Sequence, residues 1–279
     1  MSEAPKRAGV IGWPVAQSLS PVLHNYWLKE YGLPGEYVTL AVREEEFESA
    51  VRDLPHQGFV GVSVTIPHKR AAFQLATTHD ADARATGAVN TLVFAGNSIH
   101  GRNTDVGGFA VSLTESLGEN AARAGPAIVL GAGGAARAIL LALARLGSPE
   151  IRVVNRTHAR AEKLAADFHN VIIGEWGEWK TTFTNGALLV NTTSLGMMGK
   201  PPLDVALDAL PQNAAVIDIV YNPLETGLLA RARARGHATL DGLGMLMHQG
   251  IPAFAAWFGA MPHVTPQLRA ALEKALANG

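Results

Sequence analysis

Residues 128–138 read IVLGAGGAARA, and this stretch indicates the fold of the second half of the chain. Three apolar residues typical of a buried strand meet a glycine-rich turn, and an alanine-rich segment with high helix propensity follows. Gly131, Gly133 and Ala136 match the spacing G-x-G-x-x-G/A, with Gly134 and Ala135 in the same turn. Such glycines let the backbone approach a pyrophosphate at the N-terminus of the helix. The stretch therefore predicts a dinucleotide-binding βαβ unit.

The next strand of this unit, EIRVVN, predicts which dinucleotide binds. An NAD site usually ends this strand with an acid that accepts the ribose 2′-OH, whereas an arginine accommodates a 2′-phosphate. The strand ends here with Asn155, Arg156 and Thr157, and Arg160 follows three residues later. One guanidinium can stack on adenine while both neutralise the phosphate. We predict that the cofactor is NADP(H).

Strand-like and helix-like segments alternate along both halves of the chain, which indicates α/β architecture with mainly parallel sheets. Gly96 and Asn97 join two short strands as a hairpin, an antiparallel edge on the first sheet. A fresh apolar strand follows the polar stretch GENAARAGP, and two helices with no strand follow Gly242. We predict a substrate-binding and catalytic domain from residues 1–104 plus 243–279, and a Rossmann-type NADP-binding domain from 105–242, with a deep cleft between them.

The composition excludes several classes of protein. The 279 residues carry 23 Lys plus Arg against 24 Asp plus Glu, so the chain lacks the basic field that binds nucleic acid. It contains no cysteine, which excludes disulfides, thiolate catalysis and cysteine metal sites, and no metal site is predicted. No apolar run is long enough for a membrane span, and the N-terminus lacks a signal-peptide core. We expect a cytoplasmic protein that acts on a small molecule.

Polar residues gather where strands of the first domain end, which is where open α/β sheets bind ligands. Ser18 and Ser20 flank a helix start, where free N–H groups and hydroxyls can hold a carboxylate, and Ser20 is also the expected N-cap. Pro67 ends the strand before Lys69, so Lys69 falls in the first turn of a helix, where the macrodipole disfavours a structural cation. Asp105 is the carboxylate expected to orient it, although spacing alone leaves a structural ion pair equally open.

Eight motifs occur in the order found in shikimate dehydrogenases, over about residues 9–260: SLSPVLHN, VSVTIPHK, GAVNTL, GRNTD, GAGGAAR, NRT, NTTSLGM and DGLGMLMHQ. The chain thus resembles a family that reversibly reduces 3-dehydroshikimate to shikimate with NADPH, in the chorismate route to aromatic amino acids. The resemblance implies an oxidoreductase of two α/β domains. Lys69 and Asp105 resemble the catalytic pair of the family.

The same resemblance assigns the remaining residues. Ser18 and Ser20 resemble the carboxylate-binding serines, and Tyr221 resembles the tyrosine near that carboxylate. The residues that resemble those holding the ring hydroxyls are Ser63, Thr65, Asn90 and Gln249. Thr193 and Gly242 join the cofactor residues through the last two motifs. Position 63 often holds asparagine in the family, so the shorter Ser63 leaves tolerance of quinate open.

Two other functions stay open at this point. One is a non-catalytic NADPH-binding sensor, against which the intact Lys69 and Asp105 argue. The other is a dehydrogenase of quinate or another hydroxy acid, in which case the acid-free NRT turn still opposes a preference for NAD. The sequence also leaves the oligomeric state open, with a homodimer as one candidate.

Overall fold

The computed structural model describes residues 5–278. It divides into two compact units, one that runs to Asp105 and resumes at Leu246, and one formed by Val106–Met245. The predicted boundaries after residues 104 and 242 fall one and three residues before these two points. Both boundaries lie inside or at the start of a helix, which is why composition alone does not mark them.

Over the residues that the structure describes, the first unit contains six strands and, before the second unit begins, four helices. The strands are β1 Lys6–Gly12, β2 Gly35–Ala41, β3 Phe59–Val64, β4 Thr78–His79, β5 Thr91–Ala95 and β6 Ser98–Arg102. The helices are α1 Ser20–Glu30, α2 Phe47–Asp53, α3 Lys69–Leu75 and α4 Ala81–Thr86. Short 3-10 turns flank α2, at Glu44–Glu46 and Leu54–Gln57.

The strands of the first unit form one sheet in the order β2-β1-β3-β5-β6-β4. The β1 strand pairs in parallel with β2 and β3, whereas β5 pairs antiparallel with β3 and β6. Gly96, at φ 57°, and Asn97 form the predicted two-residue hairpin turn between β5 and β6. The hairpin is not the outermost element, because the two-residue strand β4 pairs with β6 beyond it. The sheet is therefore mainly parallel, as predicted, with an antiparallel pair near one side.

The second unit alternates strands and helices throughout. Its strands are β7 Ala127–Leu130, β8 Ile151–Val154, β9 Val171–Gly174, β10 Leu188–Asn191, β11 Ala215–Asp218 and β12 Ala238–Leu240. Its helices are α5 Asp105–Leu117, α6 Gly134–Arg145, α7 His158–Ala165, α8 Trp179–Phe183 and α9 Gly227–Ala234, and α5 begins at the last residue of the first unit. A 3-10 turn at Ala121–Arg123 follows α5.

The strand order of this second sheet is β12-β11-β10-β7-β8-β9, and every pairing is parallel. From the centre of the sheet, β7, β8 and β9 follow one another outward to one side, and β10, β11 and β12 follow one another outward to the other side. This is the doubly wound order with a topological switch point between β7 and β10, where such sheets bind their ligands. The strand β7 is completely buried, with all four residues at 0% exposure, as expected of a central parallel strand.

Two helices complete the chain, α10 Leu243–Phe258 and α11 Pro266–Asn278, and no strand follows Gly242 within the described residues. From Leu246 onward they belong to the first unit. The indole N–H of Trp257 donates to the carbonyl of Leu92 on β5 at 3.0 Å, and that of Trp27 on α1 donates to His263 O at 3.2 Å. Over residues 5–278, none of the helices combines the length and the apolar character that crossing a bilayer requires.

Candidate active site

Lys69 and Asp105 form an ion pair between the ammonium Nζ and the carboxylate Oδ2. Lys69 is the first residue of α3, as predicted, and its backbone oxygen accepts a hydrogen bond from Val89 N at 2.9 Å. Asp105 is the first residue of α5, where the helix dipole favours a carboxylate. The side chain of Asp105 is 2% exposed and that of Lys69 is 17% exposed. The pair is therefore buried on the carboxylate side and open to solvent on the ammonium side.

Amide groups hold the Asp105 carboxylate in place. Asn90 Nδ2 donates to Asp105 Oδ1 at 2.8 Å, and the backbone N of Asp105 donates to Asn103 Oδ1 at 3.1 Å. Asn103 is itself buried, and its Nδ2 donates to Thr86 Oγ1 and Ala88 O, each at 3.0 Å. Each carboxylate oxygen of Asp105 thus has its own donor. This arrangement fixes the rotamer of the acid that orients Lys69.

Asn90 bonds the Asp105 carboxylate and also lies beside Gln249. Asn90 Oδ1 accepts the backbone N–H of Thr104 at 2.8 Å, which sets the orientation of its amide. Its Nδ2 also lies 2.9 Å from Thr104 Oγ1 and 3.4 Å from Gln249 Oε1 on α10. Four of the predicted residues, Lys69, Asp105, Asn90 and Gln249, are therefore linked by direct hydrogen bonds although they are spread over 180 positions of the chain.

Ser18 and Ser20 meet at the start of α1, but not in the predicted capping arrangement. The N-cap is Leu19, Ser20 is the first helical residue, and Ser18 Oγ accepts the backbone N–H of Ser20 at 3.3 Å. The prediction that Ser20 is the N-cap was wrong by one position, because Ser18 supplies the oxygen for this N–H. Among residues 5–278 the Ser20 hydroxyl has no hydrogen-bond partner. It remains available to an anion at this helix start.

Ser63 lies in the last two residues of β3, and Thr65 is the first residue after the strand. Ser63 Oγ accepts a hydrogen bond from the hydroxyl of Tyr37 at 2.7 Å. Thr65 follows the strand and its N–H donates to Ile11 O at 3.0 Å. Its methyl Cγ2 fills the space over Gly12, where an added Cβ would clash with it. A glycine at the end of β1 is therefore what allows Thr65 to take this position.

The glycine-rich turn connects β7 to α6 as predicted. Gly131 has a φ of 112°, a conformation that L side chains rarely adopt, and its N–H donates to Val154 O at 2.8 Å. Gly133 is the N-cap of α6, Gly134 is its first residue, and Ala135 follows. Ala136 is fully buried in the core of the unit. The helix α6 thus begins next to an exposed glycine, and the free N–H groups of its first turn can bind an anion there.

The segment that follows β8 presents two exposed arginines. Asn155 Nδ2 donates to Thr157 O at 2.8 Å, and Thr157 is the N-cap of α7. In the described part of the chain, neither Arg156 nor Arg160 has an ion pair or a side-chain hydrogen bond. The neighbouring His158 contacts Glu175 at 3.0 Å, so acids are present nearby without pairing to either arginine. Two unpaired guanidiniums at this turn suit a phosphate ligand.

Thr193 belongs to a buried polar network at the carboxyl ends of β10 and β11. Asn191 Oδ1 accepts from Thr193 N at 3.0 Å and from Thr193 Oγ1 at 2.8 Å, and Asn191 Nδ2 donates to Asp218 Oδ1 at 2.9 Å. An added Cβ on Gly131 would meet Thr192 Oγ1 at 2.6 Å. The loop that contains Thr193 therefore packs directly against the glycine-rich turn.

Asp218 is the acid of this network, and the sequence analysis missed it. It is fully buried, and it accepts hydrogen bonds from Asn191, from Val220 N at 3.1 Å and from Thr226 Oγ1 at 2.7 Å. All three donors are neutral, so burial outweighs them and raises the pKa of Asp218 to about 6. The only signal in the sequence is an acid directly after the apolar run AAVI, which also suits an ordinary strand end.

The last two predicted residues also belong to the second unit. Tyr221 is partly buried, three residues beyond the end of β11. Gly242 directly precedes α10, and its N–H lies 3.3 Å from Val220 O, so the start of that helix is tied to the segment after β11.

Comparison with known proteins shows which family this chain resembles. Residues 10–92 match the model described as the shikimate dehydrogenase substrate binding domain, and residues 113–195 match shikimate / quinate 5-dehydrogenase. A shikimate dehydrogenase (NADP(+)) of Paramagnetospirillum magneticum is 51% identical over 97% of this chain and 99% of its own length. The chain belongs to the shikimate dehydrogenase family.

Other members of the family agree. The shikimate dehydrogenase (NADP(+)) of Methylobacterium radiotolerans is 54% identical and covers 96% of this chain and 97% of its own. The crystal structure of the Thermus thermophilus shikimate 5-dehydrogenase in complex with NADP(H) and shikimate has a TM-score of 0.84. That protein is 35% identical to this one, with 98% of both chains covered. The two-domain α/β fold predicted from the sequence is confirmed.

Proposed function

We propose that this protein is an NADP-dependent shikimate dehydrogenase that reversibly reduces 3-dehydroshikimate to shikimate, in the biosynthesis of chorismate and the aromatic amino acids. The observation that carries this proposal is the Lys69–Asp105 pair, buried at the acid and open at the amine. Family membership supports the reaction, and the pair supplies the proton transfer that reduction of a ketone needs.

Lys69 is the general acid of the proposed reaction. NADPH supplies the hydride to C3 of the substrate, and the C3 oxygen then needs one proton to become a hydroxyl. Lys69 Nζ has three N–H donors, of which Asp105 occupies one. A second N–H can therefore point at the C3 oxygen and deliver the proton. In the oxidation direction the neutral amine takes the proton back.

Asp105 keeps the ammonium of Lys69 in place, and Asn90 keeps Asp105 in place. Because Asn90 donates to Oδ1 while Lys69 uses Oδ2, the carboxylate cannot rotate without losing a bond on each side. The same Asn90 amide, together with Gln249, Thr65 and Ser63, would hold the ring hydroxyls. Ser18, Ser20 and Tyr221 would bind the substrate carboxylate, the two serines with help from the N-terminus of α1.

The residues of the second unit fit NADP(H). The turn Gly131, Gly133, Gly134, Ala135 and Ala136 at the start of α6 would hold the pyrophosphate. Asn155, Arg156, Thr157 and Arg160 would hold the adenosine and its 2′-phosphate, and Thr193 and Gly242 the remaining part of the cofactor. The unpaired arginines support this assignment, since a 2′-phosphate gives both of them a partner.

This assignment gives each unit its own role. The first unit would carry the catalytic pair and every proposed substrate contact except Tyr221, and the second would bind the dinucleotide. A homodimer and a cytoplasmic location stay predictions. Light scattering of the purified protein distinguishes a dimer from a monomer.

One assay tests the proposal against its rivals. Purified enzyme is mixed with NADPH or NADH and with 3-dehydroshikimate or 3-dehydroquinate, and loss of absorbance of the reduced cofactor is followed. We expect oxidation of NADPH with 3-dehydroshikimate. No oxidation in any combination would leave the non-catalytic sensor, and equal rates with 3-dehydroquinate would indicate the broader quinate/shikimate activity.

A further inference from the structure

Tyr37 lies behind the proposed substrate contact Ser63, although it is 26 residues away in the sequence. It belongs to β2, and β1 separates that strand from β3, which carries Ser63. The phenol ring therefore spans β1, and its hydroxyl donates to Ser63 Oγ at 2.7 Å. Tyr37 itself is buried, at 2% exposure, whereas Ser63 is partly exposed. The hydroxyl of Tyr37 is therefore connected to the more exposed Ser63 by a direct hydrogen bond.

The position of Tyr37 is fixed from several sides. The side chain of Asn25 on α1 bonds both backbone groups of Tyr37, with Oδ1 accepting from its N–H at 3.0 Å and Nδ2 donating to its carbonyl at 2.8 Å. The ring stacks on His24 with centroids 4.2 Å apart and planes 15° apart, and Trp257 on α10 lies 5.8 Å away. The bonded backbone and the stacked imidazole together restrict the orientation of the ring.

The ring beside Tyr37 carries no charge at neutral pH. Complete burial lowers the pKa of His24 to about 3, so the imidazole stacked on Tyr37 is neutral at neutral pH. A phenol O–H is more acidic than an alcohol O–H and is the better hydrogen-bond donor of the two. Tyr37 is therefore the donor and Ser63 the acceptor in this bond.

This direction determines what Ser63 can offer a ligand. A serine hydroxyl has one O–H and two acceptor lone pairs. Since Tyr37 occupies a lone pair, the O–H of Ser63 turns away from Tyr37 and is presented where β3 ends. Without Tyr37 the hydroxyl could rotate freely and act as donor or acceptor, at a cost in ordering when it binds.

We infer that Tyr37 is a positioning residue for the substrate: it holds the Ser63 hydroxyl as a donor toward a hydroxyl oxygen of the cyclohexene ring. The inference rests on the proposed function, in which Ser63 contacts the ring. It concerns substrate binding and not the proton or hydride transfer, so it predicts a change in KM for the substrate. The bond from Tyr37 also gives the short side chain of Ser63 a fixed hydrogen-bond partner.

A double-mutant cycle tests this inference with the variants Tyr37→Phe, Ser63→Ala and the combination of both. Phenylalanine keeps the ring and its stacking and removes only the hydroxyl. We expect Tyr37→Phe to raise KM for 3-dehydroshikimate about 3- to 10-fold, the range of one neutral hydrogen bond, and to leave KM for NADPH unchanged. We expect the double variant to have the same KM for the substrate as Ser63→Ala alone, because on this inference the effect of Tyr37 on substrate binding is transmitted through the Ser63 hydroxyl.

Tyr31→Phe is the matched control, because Tyr31 lies at the end of α1 and its hydroxyl bonds only weakly to Met261 O, at 3.5 Å. It should leave both KM values unchanged. The inference would be overturned if Tyr37→Phe left KM for the substrate unchanged. It would also be overturned if Tyr37→Phe raised this KM equally in the wild type and in the Ser63→Ala variant. A wild-type enzyme that does not turn over 3-dehydroshikimate would instead refute the proposed function, and the first measurement of the cycle shows this separately.

Discussion

Two buried carboxylates, Asp105 in the first unit and Asp218 in the second, differ in the partners that surround them. Both are at most 1% exposed, and both accept a hydrogen bond from an asparagine amide, at 2.8 and 2.9 Å. Asp105 also faces the ammonium of Lys69, whereas Asp218 faces only neutral donors. The difference teaches that burial alone does not mark a reactive acid. A neighbouring ammonium whose side chain is partly exposed is what qualifies Asp105, and not Asp218, for the proposed proton-transfer pair.

Of the changes that test this comparison, removal of the Lys69 ammonium should have the largest effect on kcat. We expect Lys69→Ala to lower kcat by ~10²–10⁴-fold, the usual range for a lost general acid, while the Kd for NADPH stays near the wild-type value. Steady-state kinetics and fluorescence titration with NADPH measure the two quantities. Arg70→Ala is the matched control, since Arg70 is the adjacent, exposed cation in the same helical turn. A wild-type kcat in Lys69→Ala would make the pair structural, like Asp218.

Neutralising the acid of the same pair should have the next largest effect. Asp105→Asn keeps the shape and the bond to Asn90 in one amide orientation but removes the charge that orients Lys69. We expect kcat to fall on the order of 10²-fold and the pH–rate profile to change. An unaltered profile together with an unaltered rate would remove Asp105 from the mechanism.

In the second unit, substitution of the exposed arginines should change cofactor binding, whereas the buried Asp218 should not be involved in it. We expect Arg156→Gln combined with Arg160→Gln to raise KM for NADPH by about 10²-fold and to change that for NADH little, because the two cofactors differ only in the 2′-phosphate. The effect should shrink as salt is raised, since both arginines are exposed.

The control for this variant is Arg233→Gln combined with Arg235→Gln. It removes the same charge from the second unit, at arginines that already pair with Glu225 and Asp208. The preference for NADPH should survive in this control. If the Arg156/Arg160 variant keeps the wild-type ratio as well, the adenosine end has been assigned to the wrong segment.

The effect of Asp218 should appear in stability as a function of pH. Its pKa is raised from 3.8 to about 6, so the folded state holds its proton more tightly than the unfolded state. This contribution favours the fold below pH 4 and is lost as pH rises through 6. Relative to Asp218→Asn, the wild type should lose about 2 kcal/mol of unfolding free energy between pH 4 and pH 7.

Urea denaturation at several pH values measures this trend. Asp208→Asn removes an exposed carboxylate of the same unit and controls for the loss of one charge. A constant difference between wild type and Asp218→Asn across this range would mean that Asp218 is already ionised in the fold at pH 4.

Regular sequence patterns were sufficient to predict the fold, but they did not reveal its shortest elements. The alternation of apolar and amphipathic segments predicted both sheets and the final helices. The two-residue strand β4 and the five-residue helix α8 are too short to show such a period. The glycine turn of the second sheet was correctly placed, because its spacing is a local signal.

The same limit applies to the site. Lys69, Asp105 and the glycine turn were visible because each has a local signal: a proline before the helix, a polar residue at a helix start, a glycine spacing. The bonds from Asn90 to Asp105 and from Tyr37 to Ser63 join residues 15 and 26 positions apart, and no local pattern specifies them. Whether Ser20 or Leu19 caps α1 depends on where the Ser18 oxygen points, which is also a tertiary property.

The division of the first unit between the two ends of the chain affects the order in which the protein can fold during synthesis. All six strands of the second unit lie between residues 127 and 240, so this sheet can form as soon as it leaves the ribosome. The first sheet is made earlier, but Leu92 O and the Trp27 indole receive their partners only when Trp257 and His263 emerge. Gln249 arrives in the same late segment, so the substrate site is among the last parts of the nascent protein to be completed.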